Sequence, residues 1–197
     1  MNNLNRIVAS IAFLFSLAVY IMTMAPTTSF WDCGEFIATS VIMGVPHPPG
    51  TPFYLLLGNF FSQLPTFSDI GARVNLISPI FSAFAVMFLY LIIVQLIEEW
   101  RGESKSFPDY LITYGSALIG ALTFAFTDSH WFNAVEAEVY SISTFFTSIV
   151  VWLILQWSKN SGHSGNVRYI LIIAYIFGLA IGIHLLNLLA LPFIALI

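Results

Sequence analysis

Apolar and polar positions along this chain fall into long blocks with little alternation. Five apolar runs stand out, at residues 7–24, 74–97, 111–126, 139–157 and 169–184. A helix needs about 20 mostly apolar residues to cross the hydrocarbon core of a bilayer. The runs therefore predict five transmembrane helices, of which the third and fifth are the shortest. A β-barrel would show brief alternating segments instead. A signal peptide is the rival reading of residues 1–24, with Arg6 as its charged region. The apolar run is long for that role, and no small-x-small cleavage site follows it. Hydrophobic sequence resumes after His184 and continues to Ile197. The chain thus reads as one domain, the N-terminal transmembrane part of a longer protein.

The polar segment after the first run, residues 25–73, is long for a plain connection. Two shorter apolar stretches lie inside it. Phe36 to Val45 predicts a short helix with Asp32 and Glu35 at its start, where carboxylates are favoured. Phe53 to Leu64 is too short to span and predicts an interfacial or re-entrant element. Pro48-Pro49-Gly50 between them predicts a rigid turn.

Composition agrees with this picture. Hydrophobic residues make up 58% of the chain, charged residues only 8%, and Phe alone accounts for 19 of 197 positions. Mean hydropathy is +0.88. A soluble domain of this size could not hide that much apolar surface. The fold class expected is an all-α polytopic membrane protein. A net charge of −4 gives no sign of nucleic-acid binding. The single Cys33 excludes a disulfide framework within the chain and reads as a small apolar residue beside the acids.

The six basic residues divide unevenly. Arg6, Arg101, Lys105, Lys159 and Arg168 all fall on one side of the predicted helices, and only Arg73 on the other. Basic residues favour the cytoplasmic side, so the N-terminus is expected there. The opposite face then receives Asp32, Glu35, His47, Asp69 and Arg73 from one loop, and Asp128, His130, Glu136 and Glu138 from another. The fifth run, climbing about 1.5 Å per residue, brings His184 to that same face, with Asn187 a turn further. The expected location is the plasma membrane (the bacterial inner membrane), with the polar site outside.

Each candidate has two readings. Asp32 and Glu35, three apart, share a helix face. They suit a general base with a partner carboxylate that tunes it or binds a cation. Alternatively they form an N-terminal cap and capping box. His47 either bonds the turn backbone or works opposite the acids. Arg73 either snorkels at a helix start or grips a phosphate. Glu136 and Glu138, two apart, would point to different faces of a helix, whereas Glu136 and Tyr140 would share one. Trp31 and Trp131 fit an interfacial aromatic belt or a sugar-stacking role. His184 and Asn187, within apolar sequence, need partners, either another helix or a substrate. Asp128 with His130 is too small a set for a metal site.

Four motifs in order, Trp31-Asp32-Cys33-Gly34-Glu35-Phe36, His47-Pro48-Pro49-Gly50-Thr51-Pro52, Val135-Glu136-Ala137-Glu138-Val139-Tyr140 and Gly182-Ile183-His184-Leu185-Leu186-Asn187, resemble the family of the unknown-function domain DUF2723. That family is similar to the protein O-mannosyltransferases of the GT-C glycosyltransferase superfamily. The resemblance covers essentially the whole chain. It implies a GT-C-like N-terminal transmembrane module and a membrane enzyme. Such an enzyme moves a mannose-like sugar from a polyprenyl-phosphate donor to a hydroxyl on a protein or glycan acceptor, outside the cytoplasm. It also implies an acidic base in the first outer loop, often within an adjacent Asp-Glu pair. Here Cys33 and Gly34 separate the two acids, so either Asp32 or Glu35 fits that role. His47, Arg73, Glu136, Glu138, Tyr140, His184 and Asn187 are the expected substrate-binding residues. No cofactor and no metal ligand is expected. The competing readings are a transporter or flippase for a lipid-linked substrate and a non-catalytic glycolipid-binding subunit. A transporter would place ionisable groups near the bilayer midplane, and here they sit at its edge.

Overall fold

The computed structural model describes residues 3–160, 162 and 165–185. Among these the regular structure is entirely helical. In chain order the helices are α1 (Asn3–Thr23), α2 (Cys33–Ile42), α3 (Pro52–Ser62), α4 (Ile70–Asn75), α5 (Ile77–Arg101), α6 (Phe107–Ala125), α7 (Asp128–Ala134), α8 (Val139–Lys159) and α9 (Val167–Ile181). The protein is an all-α multi-pass membrane protein. Three helical stretches are long and apolar enough to cross a bilayer: Asn3–Thr23, Ile70–Arg101 and Val139–Lys159. A fourth exists if α6 and α7, bent by 69° at their junction, form one broken span. Helix α9 has 15 residues. At 1.5 Å per residue it reaches roughly 22 Å, short of the ~30 Å hydrocarbon core. Over its described length the fifth run is thus a short apolar helix.

Helix α5 is the axis of the bundle. On one side α1 and α6 pack against it through Ala9, Tyr20, Ala83, Val86, Tyr90, Ala117 and Ala121. On the other, α8 and α9 join α2 and α3 around Tyr54, Ile77, Ile142, Ile154 and Ile176. Small residues on α6 let the helix backbones approach closely, as membrane packing favours. The outward faces stay apolar, with Ile7, Ile11 and Leu14 on α1, Leu111 and Ile119 on α6, and Leu171 and Tyr175 on α9 all exposed. Such residues suit lipid contact.

The polar segments gather at the two ends. At one end a cavity of about 330 Å³ lies among Asn5, Gln95, Glu98, Tyr110, Gln156 and Lys159. At the other, the segment after α1 is stitched to its neighbours by backbone and amide bonds. The Ala25 N–H donates to the Val135 carbonyl at 2.8 Å. The Asn75 amide, fully buried, donates to the carbonyls of Ala25 (2.8 Å) and Thr27 (2.9 Å). Asp69 caps α4 by accepting the Ala72 N–H, so the helical path begins at Ile70, four residues ahead of the predicted second run.

Candidate functional site

The two short helices of the first long loop form a hairpin at this stitched end. Helix α2 starts where Trp31 turns the chain at φ 60°. That left-handed conformation is strained for a bulky side chain, and Trp31 is 84% exposed. Between the helices, the Gly50 N–H closes a turn onto the His47 carbonyl at 3.0 Å, with Gly50 at φ 72°. Pro52 opens α3, where its missing N–H costs nothing. Helix α3 lies close on α2. A Cβ on Gly58 would collide with the buried Ser40 side chain, so glycine permits that approach.

This geometry separates the two readings of the acid pair. Asp32 occupies the N-cap position of α2, yet its side chain makes no cap hydrogen bond. Glu35, three residues on, does not reach back to complete a capping box. Its carboxylate instead grips His47 twice: Oε1 accepts the His47 backbone N–H and Oε2 lies against ring Nδ1, each at 2.7 Å. The Asp32, Glu35 and His47 ligand-type atoms all lie within 4.8 Å of one another. The His47 bonds hold the Glu35 carboxyl below its usual range. The same bond raises His47, with further help from the charges of Glu35, Asp32 and Glu138 and partial opposition from burial. This group faces water.

A second group lies directly behind it. Cys33 is fully buried, Glu136 is 2% exposed and Glu138 is 6% exposed. Their ligand-type atoms also lie within 4.8 Å of one another. The Cys33 thiol donates to Glu138 Oε1 at 3.7 Å. Burial pushes the thiol up, and the two nearby carboxylates push it further. Burial, then the charges of Glu136 and Asp32, lift Glu138 to about 7. The Tyr54 hydroxyl, wholly buried and under the influence of Glu138 and Cys33, has no hydrogen-bond partner. The two Glu side chains converge because residues 135–138 are not helical: α7 stops at Ala134 and α8 starts at Val139. The different faces expected of Glu136 and Glu138 presuppose a helix, and the break removes that constraint.

The other candidates sit around these groups. Tyr140, exposed in the first turn of α8, lies 5.4 Å from the His184 ring, centroid to centroid. The end of α9 is tied to the start of α3, where the Phe53 N–H donates to the Gly182 carbonyl at 2.9 Å. Arg73 spends its guanidinium on the carbonyls of Phe67 (2.6 Å) and Ser62 (3.1 Å), so it fastens the α3–α4 connection. Asn187 lies outside the described residues. Trp131 donates to the Thr23 hydroxyl and packs on Phe126, away from the acids. His130 is buried between Tyr20 and Phe124. Cys33, read from the sequence as a small apolar residue beside the acids, and Tyr54, which did not stand out there, both pack into this candidate site. The available signal was position: Cys33 follows Asp32 at a helix start, and Tyr54 lies one turn into the helix after the Pro-Pro-Gly turn.

Carboxylates, an imidazole and a thiol at one end of an apolar bundle define a multi-pass membrane protein with an acid-lined site at its edge. The family described as protein O-mannosyl-transferase TMEM260 N-terminal domain matches residues 32–197, and the chain belongs to that family. Among curated relatives, the protein O-mannosyl-transferase tmem260 of Dictyostelium discoideum is 28% identical over 195 residues, covering 92% of this chain and 22% of the relative. The protein O-mannosyl-transferase TMEM260 of Mus musculus is 26% identical over 164 residues, covering 83% of this chain and 21% of the relative. The chain therefore spans about a fifth of the length of the curated relatives it matches. No solved structure matches it.

Proposed function

We propose that this chain forms the membrane-embedded catalytic face of a glycosyltransferase with a GT-C-like transmembrane module. The enzyme moves a mannose-type sugar from a polyprenyl-phosphate donor to a protein hydroxyl. The relatives are named protein O-mannosyl-transferases, and the sugar and acceptor class rest on that kinship. The observation that carries the reading is the free carboxylate of Asp32. It sits at a helix start, exposed, with no cap bond, beside a Glu35–His47 pair joined by two 2.7 Å contacts.

Asp32 then acts as general base, taking the proton of the acceptor hydroxyl as its oxygen attacks the anomeric carbon. The bond from that carbon to the phosphate oxygen breaks, and its electron pair leaves with the polyprenyl phosphate. Negative charge grows on the leaving phosphate and needs a positioned cation or donor. His47, its proton held by Glu35, fills that role. Arg73 is already committed to two backbone carbonyls. Glu138 stands behind the contact surface and acts on His47 through its charge, with Glu136 beside it. Tyr140 and His184 flank it. Beside the turn, Met43, Val45, Pro46, Pro52, Leu55 and Leu56 line an apolar groove of about 300 Å³, which suits the first isoprene units of the donor. The five basic residues at the far end orient the site away from the cytoplasm.

The test is transfer by the full-length protein reconstituted in liposomes with a polyprenyl-phosphate mannose and an acceptor peptide. Wild type transfers and Asp32→Asn does not, while both insert and elute alike in detergent. Normal transfer by Asp32→Asn, or transfer only from a nucleotide sugar, contradicts the proposal.

A further inference from the structure

The buried group behind the catalytic face packs two acids with no cation bonded to them among the described residues, and a shared proton and the Cys33 thiol relieve their repulsion only in part. Two carboxylates and a thiol converge within 4.8 Å, all buried. Glu136 is 2% exposed, and its Oε1 has no hydrogen-bond partner. No Lys or Arg side chain bonds any of the three among the described residues. The one ion pair found there, His47 with Glu35, lies in the outer group. Buried carboxylates without a cation are costly, and a buried carboxylate that belongs to such a group and keeps an unpartnered oxygen is where an ion would be held.

We propose that Cys33, Glu136 and Glu138 bind a divalent cation of the zinc class, through Cys33 Sγ and one oxygen from each carboxylate. The donor set selects the ion. Magnesium and calcium prefer six or more oxygens, whereas a thiolate with two carboxylate oxygens suits zinc. Zinc–sulfur and zinc–oxygen bonds of about 2.3 and 2.1 Å require donor atoms roughly 3.5 Å apart. The Cys33 Sγ–Glu138 Oε1 distance is 3.7 Å. On binding, the Cys33 S–H bond is broken, sulfur coordinates the metal and the proton passes to solvent. Three protein ligands leave a fourth position for water. The ion ties the start of α2 to the segment before α8, one residue behind Asp32. This inference stands apart from sugar transfer, since metal binding is read without any turnover.

Cobalt(II) titration of the full-length, metal-stripped protein in detergent tests it. One equivalent should bind and give a sulfur-to-cobalt charge-transfer band, which zinc displaces. Cys33→Ser should abolish the band, and Glu136→Gln should weaken binding at least about tenfold. His47→Gln should leave both unchanged. Because the Cys33 variant can fail to fold, and the thiol is buried in the native state, alkylation of the Cys33 peptide in wild type is followed by mass spectrometry in mild denaturant as well. Added zinc should protect it, and should protect it less in Glu136→Gln. Absence of the band and of protection in folded wild type overturns the proposal. So does binding that Cys33→Ser retains and His47→Gln removes, which would move the ion to the outer group.

Discussion

Asp32 and Cys33 are neighbours in the chain and opposites in environment. Asp32 belongs to an outer group with Glu35 and His47, and Cys33 to an inner one with Glu136 and Glu138. The outer group is exposed and internally paired, and its two bonded members reinforce each other's charged forms. The inner group is buried, all acidic, and holds an oxygen without a partner. Water explains the difference. An exposed carboxylate is solvated and ready to take a proton, whereas a buried cluster of acids must share protons or hold a cation. One helix start serves both because the N-cap residue and the first helical residue point to different sides.

The sharpest way to break this contrast is at Asp32. Asp32→Asn removes the base while keeping the shape. Transfer should fall by about 10²–10⁴-fold, the usual worth of a positioned base, with the inner group's cobalt spectrum retained. A variant that still transfers at the wild-type rate would dissolve the distinction.

A packing change should strike the two groups unequally. His47 lies in the turn that joins α2 to α3, and Gly58 lets those two helices close on each other. Gly58→Val must push the Ser40 region apart and should cost about 1–3 kcal/mol, read as a lowered thermal unfolding midpoint in detergent. The Glu35–His47 pairing should loosen, while the reactivity of Cys33, held from the α7–α8 side, changes little. Equal disruption of both groups would show that they form a single unit.

A smaller effect follows from pH. His47 is raised above its ordinary value of about 6.5. Its share of the pair's stabilisation is therefore complete below that value and lost as pH rises through the raised one. Glu35 is lowered from its ordinary value of about 4.3. Its share is present above that value and lost as pH falls through the lowered one. The pair is strongest between these limits. Transfer should decline on the alkaline side as His47 loses its proton. His47→Gln should run at roughly a tenth of the wild-type rate and lack that decline. A pH profile identical in the two proteins would remove His47 from the mechanism.

Much of the architecture was legible because it follows from periodicity and length. The five apolar runs each contain a long part of a helix, and the two short stretches of the first loop became α2 and α3. The third run ended at 126, close to the end of α6, but the short helix α7 that follows, bent by 69°, was not visible in residues read as loop. Nor was the early start of α4, where a single Asp69 cap moves the boundary. At the site, spacing along the chain brought out Asp32, Glu35 and His47, which all fall within 15 residues of one another. It misjudged Glu136 and Glu138 because helical spacing was applied to a segment that is not helical. It took Cys33 for a small apolar neighbour of the acids and passed over Tyr54, because their contacts reach across about 20 and about 100 residues, to which local pattern is blind.

The division of α2's start into a wet side and a dry side is the central claim, and carboxylate labelling tests it most directly. The full-length protein in detergent is treated with a water-soluble carbodiimide and an amine, and modification of each acid is quantified by mass spectrometry. Asp32 should label readily, Glu35 more slowly because His47 holds it, and Glu136 and Glu138 hardly at all until the protein is unfolded. Labelling of Glu136 and Glu138 at the rate of Asp32 in the folded protein would contradict the account.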